Sequence, residues 1–267
     1  MRVLKFKTAR KSTRLLYRSC FSSVAMLGLL SVYQHAVQAA EAPTVTRAPA
    51  PVEHVFVPQG FDDNDNAEII IQGRFPNACM KTGPVEKSID TQKRTIRLRP
   101  QVYVYRGEPC AQVIIPFTQR VTFGTLKEGT WRIEVEGMPS VAPLPLVVSR
   151  ARTAAPDDYL YAPVEDVVLL PGALGSQQKL VLSGNWPLIS GSGCFALKRI
   201  QTDLGADNTL VVRPIAELQS ADQCDPSSLR KRAFQSTVNL EAPLKVDSLI
   251  HVRVLNGESL NKFYEAL

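Results

Sequence analysis

Four cysteines are the residues of this chain best suited to forming covalent bonds. Apart from Cys20 near the N-terminus, the cysteines are Cys79, Cys110, Cys194 and Cys224. An even number of cysteines in an exported chain predicts disulfides, and four cysteines allow three pairings. The first two flank a polar turn at 90–94 almost symmetrically, and the last two flank a turn at 205–208 in the same way. If the strands beside each turn form a hairpin, the two cysteines face each other across its open end. We therefore predict the disulfides Cys79–Cys110 and Cys194–Cys224.

Arginine and tyrosine alternate with apolar residues between positions 96 and 105. Alternate side chains of a β-strand point to opposite faces, so one face would carry polar groups and the other would fill a core. The predicted polar set is Arg97, Arg99, Gln101, Tyr103 and Tyr105. Binding surfaces favour such side chains, which offer contact area, cation–π stacking and directional hydrogen bonds. The alternative is an ordinary solvated sheet face, where tyrosine serves strand propensity alone.

The acid-rich segment 62–66 is the best candidate for a metal site. Its candidate ligands are Asp62, Asn64 and Asn66. Closely spaced carboxylate and amide oxygens suit calcium. The segment departs from the helix-loop-helix calcium pattern, because Ala67 replaces the turn glycine and Gly73 stands where a bidentate glutamate is needed. The alternative is a turn between strands, in which Asp and Asn are common.

Residues for acid–base or nucleophilic catalysis are scarce. After the N-terminal segment the chain has two histidines, His54 and His251, both in predicted strands. Alternation places His251 on the solvent side of its strand, and His54 beside Phe56 under partial cover. The sequence has no His-Glu-x-x-His, Cys-x-x-Cys, Gly-x-Ser-x-Gly or phosphate-loop motif. We therefore predict no catalytic residue, no cofactor and no enzymatic activity.

The elements that position these residues follow from an internal repeat. The tetrapeptide Ala-Pro-Val-Glu occurs at 50–53 and again, 112 residues later, at 162–165. Further matches keep the same order, with small gaps, as in the Gly-Arg-Phe-Pro of 73–76 and the Gly-Asn-Trp-Pro of 184–187. The shared order predicts that one module has been duplicated. A period this long predicts two domains with separate cores, because solenoid repeats run to about 20–50 residues.

Each copy has the sequence pattern of short strands. Runs of Val, Ile, Leu, Tyr and Thr lie between clusters of Gly, Pro, Asp and Asn. The predicted strands lie near 52–57, 67–73, 84–89, 95–105, 112–117, 119–126, 130–136 and 144–149, then near 164–170, 178–184, 195–201, 209–218, 233–240 and 248–255. This density predicts an all-β fold of two tandem immunoglobulin-like β-sandwich domains, each with one disulfide. A small barrel is the alternative for each domain.

The N-terminal segment has the pattern of a secretory signal peptide. Basic residues precede a short apolar run, and a Val-x-Ala site ends near Ala39. An uncleaved signal anchor is the alternative, although the run is shorter than the roughly 20 residues that a spanning helix needs. Removing the seven basic residues of 1–39 leaves 24 basic and 25 acidic residues, a net charge of −1. A nucleic-acid partner is therefore not predicted, and no transmembrane segment is predicted after cleavage.

The predicted organisation combines the signal, the repeat and the ends of the chain. In order, it is a signal peptide over 1–39, a Pro-rich leader over 40–50, a first sandwich over 51–150, a linker over 151–162, a second sandwich over 163–257 and a tail over 258–267. Apolar residues in the tail have helical spacing, as at Leu260, Phe263 and Tyr264. This spacing predicts a short helix docked on the second domain.

Export and the lack of catalytic motifs together predict a function class. We expect a periplasmic or secreted, non-enzymatic binding or structural protein of the bacterial envelope or extracellular space. The absence of an Asn-x-Ser/Thr acceptor after the signal peptide favours a bacterial protein. The expected partner is an envelope protein or a polysaccharide. The alternatives are a periplasmic chaperone or assembly factor that captures a strand at a sheet edge, and a secreted hydrolase or inhibitor.

Overall fold

The computed structural model describes residues 44–107, 109–138, 143–155, 157–172, 177–187, 193–205, 207–224 and 232–264. These residues all lie in one compact unit. Over these ranges the chain forms sixteen β-strands and two 3-10 turns, and no α-helix. The prediction of an all-β fold is confirmed. The described residues include no helix with the length and apolar character needed to span a membrane. The predicted signal peptide lies outside the described residues.

Module 1 is a sandwich of two sheets. Its strands are β1 (Thr44–Pro49), β2 (Val52–Phe56), β3 (Phe61–Asp62), β4 (Ala67–Phe75), β5 (Met80–Asp90), β6 (Thr95–Arg106), β7 (Ile115–Gly124), β8 (Gly129–Val135) and β9 (Leu144–Ser149). The small sheet has the order β2-β4-β7. The large sheet has the order β5-β6-β8-β9, with β1 also pairing with β6 and β3 pairing with β9.

Module 2 repeats this architecture. Its strands are β10 (Val164–Leu170), β11 (Lys179–Asn185), β12 (Gly193–Leu204), β13 (Thr209–Ser220), β14 (Ala233–Asn239), β15 (Leu249–Val254) and β16 (Glu258–Phe263). The small sheet is β10-β11-β14 and the large sheet is β12-β13-β15-β16. The modules share an unusual detail, because β6 pairs with β8 in parallel and β13 pairs with β15 in parallel. This common strand order confirms two duplicated sandwich domains rather than barrels.

Each module encloses its own apolar core between its two sheets. In module 1 the small sheet contributes Ile69 and Ile71, while the large sheet contributes Ile96, Leu98 and Trp131. In module 2 the corresponding small-sheet residues are leucines of β11, and they pack on residues of β13 and β15. The period-2 alternation that was predicted for β6, and that β11 shows as well, therefore separates core from surface.

The repeated tetrapeptide makes the same contacts in both modules. Its alanine is buried, and the alanine N–H donates to the carbonyl oxygen of Pro100 in module 1 (2.9 Å) or Pro214 in module 2 (2.8 Å). Its glutamate binds a side chain of the neighbouring strand. Glu53 pairs with Arg74 at 2.8 Å. In module 2, Glu165 accepts a hydrogen bond of 2.8 Å from the Asn185 side-chain amide. The tetrapeptide thus ties the start of each module to both of its sheets.

An aromatic pair lies beside a glycine at the same place in each module. Phe75 stacks on Phe117 with ring centroids 4.4 Å apart, and Trp186 stacks on Phe234 with centroids 4.5 Å apart. A stacked aromatic pair adds to the stabilisation that comes from burial alone. The Phe117 ring also covers Gly73, and the Phe234 ring covers Gly184, so a side chain does not fit at either glycine.

We expect Gly73→Ala to lower the free energy of unfolding by about 1–3 kcal/mol. An added Cβ would lie well inside contact distance of the Pro51 carbonyl oxygen and 2.7 Å from the Phe117 ring. Gly184→Ala should have a similar effect, because the corresponding carbonyl oxygen and ring face it in module 2. Urea unfolding followed by circular dichroism measures both changes.

Gly124→Asn is a matched control for these glycine variants. No atom lies within 4 Å of the Cβ position at Gly124, where φ is +75°, and asparagine tolerates this left-handed conformation. We expect its free energy of unfolding to change by less than about 1 kcal/mol. A Gly73→Ala loss no larger than that of the control would contradict the steric explanation.

Both predicted disulfides are present. Cys79 and Cys110 are bonded with their Cα atoms 5.4 Å apart, and Cys194 and Cys224 are bonded with their Cα atoms 5.9 Å apart. The first bridge closes the open end of the β5–β6 hairpin, and the second closes the open end of the β12–β13 hairpin. Each module therefore has one local crosslink on its longest hairpin.

Two predictions about the ends of the chain are wrong for their described parts. Residues 44–49 of the predicted leader form β1, which pairs with β6 from Gln101 to Arg106. Since β8 covers only the first four residues of that edge of β6, β1 pairs with the edge that remains. The predicted tail or helix over 258–267 instead begins with β16, which pairs with β15. Both faces of β16 are covered, so its apolar residues do not alternate cleanly.

Candidate functional site

The five side chains predicted to share one face of β6 do share it. They lie on the outer surface of the large sheet of module 1, where Arg97 and Arg99 are exposed and the other three are half-buried. The alternate residues Ile96, Leu98 and Val102 are buried in the core. We call this surface the polar face; it also includes neighbouring side chains of β1, β5 and β8.

The half of the polar face next to β8 is ion-paired. Arg97 Nε lies 2.8 Å from a carboxylate oxygen of Glu134, and Arg99 Nε lies 2.5 Å from one of Glu136. Glu86 on β5 accepts a hydrogen bond of 3.1 Å from Gln101. The hydrogen bond that Arg99 donates to the Glu136 carboxylate raises the pKa of Arg99 above its usual value. These groups line a groove of about 450 Å³ in which each arginine is already neutralised.

The other half of the polar face is aromatic and carries unpaired positive charge. Lys81, Tyr103 and Arg47 form one row across β5, β6 and β1. The guanidinium carbon of Arg47 lies 5.7 Å from the centre of the Tyr103 ring, and Lys81 Nζ lies 4.9 Å from the centre of the Tyr105 ring. Within the described residues neither cation has an acidic partner. We call this half the aromatic half.

Sequence reasoning found the tyrosines but missed the two cations beside them. Arg47 was assigned to a leader, and Lys81 follows Cys79 in a stretch where no strand was predicted. A signal existed in the leader, since Val45 and Arg47 alternate with small residues as a strand would. Pairing of β1 and β5 with opposite edges of β6 is what brings both cations to the tyrosines.

The candidate calcium ligands lie in a turn that contacts the linker. Asn64 donates a hydrogen bond of 2.8 Å to the Ala155 carbonyl oxygen, while Asn66 accepts one of 3.1 Å from the Gly124 N–H. Burial, together with the nearby carboxylates of two other aspartates, raises the pKa of Asp62 to about 6. No group of three His, Cys, Asp or Glu side chains in the described part is arranged to hold a metal ion. Calcium binding at this turn stays a prediction.

A larger cavity of about 800 Å³ lies between this turn and the described part of the linker. Its carboxylates already have structural partners. Asp158 accepts hydrogen bonds from the backbone N–H groups of Arg152 and Thr153, which help to lower the pKa of its carboxyl group. Burial raises the pKa of Asp157 to about 6. The Asp158 carboxylate in this cavity is therefore used for hydrogen bonds within the linker rather than for binding a ligand.

The prediction that His251 faces solvent is wrong. His251 is completely buried where the large sheet of module 2 covers the small sheet of module 1. Its Nδ1 lies 2.8 Å from the Asn261 side-chain oxygen and 3.7 Å from Glu68 on β4. Burial lowers the pKa of His251 to about 4, so the ring is neutral at pH 7. His54, by contrast, is exposed. The prediction that His54 lies under partial cover is therefore wrong as well.

The module interface joins the two sandwiches through apolar and charged contacts. Its apolar part consists of Phe56, Ile70, Leu249 and the partly buried Phe263. Its charged part includes Arg253, whose Nη2 lies 2.7 Å from Asp65, with both side chains almost fully buried. Arg120 of module 1 pairs with Glu258 of module 2 at 2.7 Å and with the buried carboxylate of Glu68 at 2.6 Å. These contacts join the two modules within one compact unit.

Comparison with known proteins gives one partial match. Residues 69–142 match the family model described as the ORF11 beta-sandwich domain. The matched region runs from β4 through β8 and so includes the whole of β6, the strand that carries the polar face. No curated protein and no solved structure matches the chain. The family model supports the sandwich fold of module 1, and module 2 lies outside the match.

Proposed function

We propose that this chain is an exported, non-enzymatic binding protein of the bacterial envelope or extracellular space, and that the aromatic half of the polar face is its binding surface. The observation that carries this proposal is the row of Lys81, Tyr103 and Arg47, which sets two unpaired cations beside solvent-facing tyrosines. Tyrosine and arginine are enriched at protein interfaces. The neighbouring Arg97 and Arg99 are neutralised by glutamates, whereas Arg47 and Lys81 have no acidic partner among the described residues.

The two disulfides and the module interface support this role. Disulfides form and persist in oxidising compartments, which agrees with an exported protein. The described histidines also support a non-enzymatic role. His251 is buried in a neutral form within the module interface, and His54 is an exposed residue of β2. A rigid sheet face that is ordered before binding loses little conformational entropy on contact with a partner.

The proposal is tested by co-sedimentation of the purified protein with insoluble bacterial envelope material. We expect wild-type protein to sediment with it, and the double variant Tyr103→Ala/Tyr105→Ala to lose at least about fivefold in bound fraction. Lys179→Ala, which removes an exposed charge on module 2, is the matched control and should bind as wild type does. Equal binding by wild type and the double variant would overturn the assignment of this surface.

The edge of β14 favours a second candidate function, strand capture by a chaperone or assembly factor. β14 pairs with β11 over seven consecutive residues without a register shift, and no described strand pairs with its other edge. It contains no proline and no charged residue, the features that usually protect an edge strand. By contrast, the β5 edge has Pro84 within a register shift. An extended client segment could add to such an unprotected edge by β-augmentation.

Aggregation of an unfolded client distinguishes this second candidate from the first. A strand-capturing protein should delay aggregation, and Thr237→Lys on β14 should abolish the delay because charges on an edge strand oppose pairing. Tyr103→Ala should leave the delay unchanged. A wild-type protein that has no effect on aggregation would exclude strand capture.

A further inference from the structure

We infer that the ligand of the aromatic half is an acidic polysaccharide, a chain of sugar rings that carries carboxylate or phosphodiester groups at intervals. This inference rests on the proposed function and adds the chemical class of its ligand.

The charge of the aromatic half selects for anions. Arg47 and Lys81 contribute two positive charges, and within the described residues no carboxylate pairs with either of them. Arg47 presents a planar donor group that can bind a carboxylate or phosphate oxygen pair, and Lys81 presents a compact charge. Anionic groups are therefore held here by charge-assisted hydrogen bonds.

The spacing of the two cations favours a polymer over a small ion. They lie on β5 and β1, with β6 between them, so their backbones are about 9–10 Å apart. Each cation lies over a different tyrosine ring, Arg47 over Tyr103 and Lys81 over Tyr105, so the two charges are directed to separate points of the surface. A chain with several anionic groups can bind both at once and gains affinity from the second contact.

The two tyrosines give the surface its preference for rings. Tyr103 and Tyr105 are alternate residues of one strand, so they lie about 7 Å apart along β6. Their rings are half-buried, and no described residue forms a hydrogen bond with either tyrosine hydroxyl. An aromatic ring offers a flat apolar surface to a sugar ring, while its hydroxyl can hydrogen-bond to the hydroxyls of the sugar.

The ion-paired half limits how densely charged the ligand can be. Glu86, Glu134 and Glu136 flank β6 directly beyond the aromatic half. A nucleic acid has a phosphate at every nucleotide and would extend over the ion-paired half, where Arg97 and Arg99 are already paired with glutamates and offer no free positive charge. An acidic polysaccharide with neutral stretches between its charges does not need a positive charge at every step. The arrangement therefore favours a sparsely charged glycan over nucleic acid.

Affinity electrophoresis of the full-length mature protein tests the inference. The gels contain hyaluronate, in which uncharged sugars separate the carboxylates, or a bacterial capsular polysaccharide in which uncharged sugars separate the phosphodiesters, and dextran serves as the neutral control. We expect one of the acidic polymers to retard the protein, with a retardation that weakens as salt is added, and dextran to have no effect. The polymer that retards the protein more identifies the anionic group.

The variants locate the binding surface and separate this inference from the proposed function. Arg47→Ala, Lys81→Ala and Tyr103→Ala should each weaken binding about fivefold to tenfold, and Lys179→Ala should not change it. Retardation by neither acidic polymer, equal retardation of the variants, or tighter binding of single-stranded DNA would overturn the acidic-polysaccharide inference. If Tyr103→Ala/Tyr105→Ala still loses co-sedimentation in that case, the binding surface stands and only the ligand class falls. If the double tyrosine variant co-sediments as wild type does, both the binding surface and the ligand class are wrong.

Discussion

Replacing Arg253 with alanine is expected to lower the free energy of unfolding by about 3–5 kcal/mol, because it leaves a buried carboxylate without its partner. Arg253 lies 2.7 Å from Asp65, and the two side chains are 4% and 2% exposed. The guanidinium also lies 4.7 Å from the centre of the Phe61 ring and 5.3 Å from that of Tyr161. Since these partners belong to module 1 and the linker, the loss should loosen the module interface as well. Thermal and urea unfolding measure the change.

Two further variants separate burial of charge from simple loss of an ion pair. Lys262 and Asp166 form an exposed pair 3.2 Å apart, so Lys262→Ala should cost less than about 1 kcal/mol. The double variant Arg253→Met/Asp65→Asn removes both charges and should be more stable than Arg253→Ala. A loss in Arg253→Ala as small as that in Lys262→Ala would show that the interface contributes little to stability.

Removing either disulfide is expected to lower the free energy of unfolding by about 3–4 kcal/mol. The bridges close loops with sequence separations of 31 and 30 residues, and the chain-entropy model gives nearly equal contributions for loops of equal size. The variants Cys79→Ser/Cys110→Ser and Cys194→Ser/Cys224→Ser should therefore unfold at similar urea concentrations. Both should unfold well below wild type.

The reduced wild-type protein is the control for the two serine variants. Its unfolding midpoint should lie below that of either variant, because both crosslinks are then absent. A variant that loses most of its stability while the other loses none would contradict equal, local crosslinking. It would show that one module depends on its disulfide and the other on its apolar core.

Sequence reasoning worked where a strand has one face in a core and one in water. The alternation of β6 and the order of the repeat predicted most of the strands, the duplication and both disulfides, because each depends on contacts within one module. The two strands predicted near 112–117 and 119–126 are the single strand β7. Sequence reasoning gave the wrong exposure for the outward face of β15 and the wrong secondary structure for β16, because outward residues of both strands lie in the module interface. Arg99 and Arg253 both occupy outward positions of strands, yet one is exposed and the other is buried. Only the docking of one module on the other distinguishes them.

The candidate site was predicted in part for the same reason. The tyrosines of β6 could be assigned to a face from period-2 alternation alone. The cations beside them come from strands paired through long-range contacts, and the register that sets Arg47 and Lys81 against Tyr103 is not encoded locally. The neutralisation of Arg97 by Glu134 on β8 depends on pairing in the same way.

Docking between unlike sheets has a consequence for self-assembly. Module 1 uses its small sheet and module 2 uses its large sheet, which is a head-to-tail contact, and identical subunits joined in that way form closed rings or open filaments. In sheet register, Leu249 and His251 of module 2 correspond to Arg132 and Glu134 of module 1. A free large sheet with these charges cannot accept another copy in the same manner. The sheet-to-sheet contact that joins the two modules is therefore not repeated between one chain and the large sheet of module 1 in the next chain.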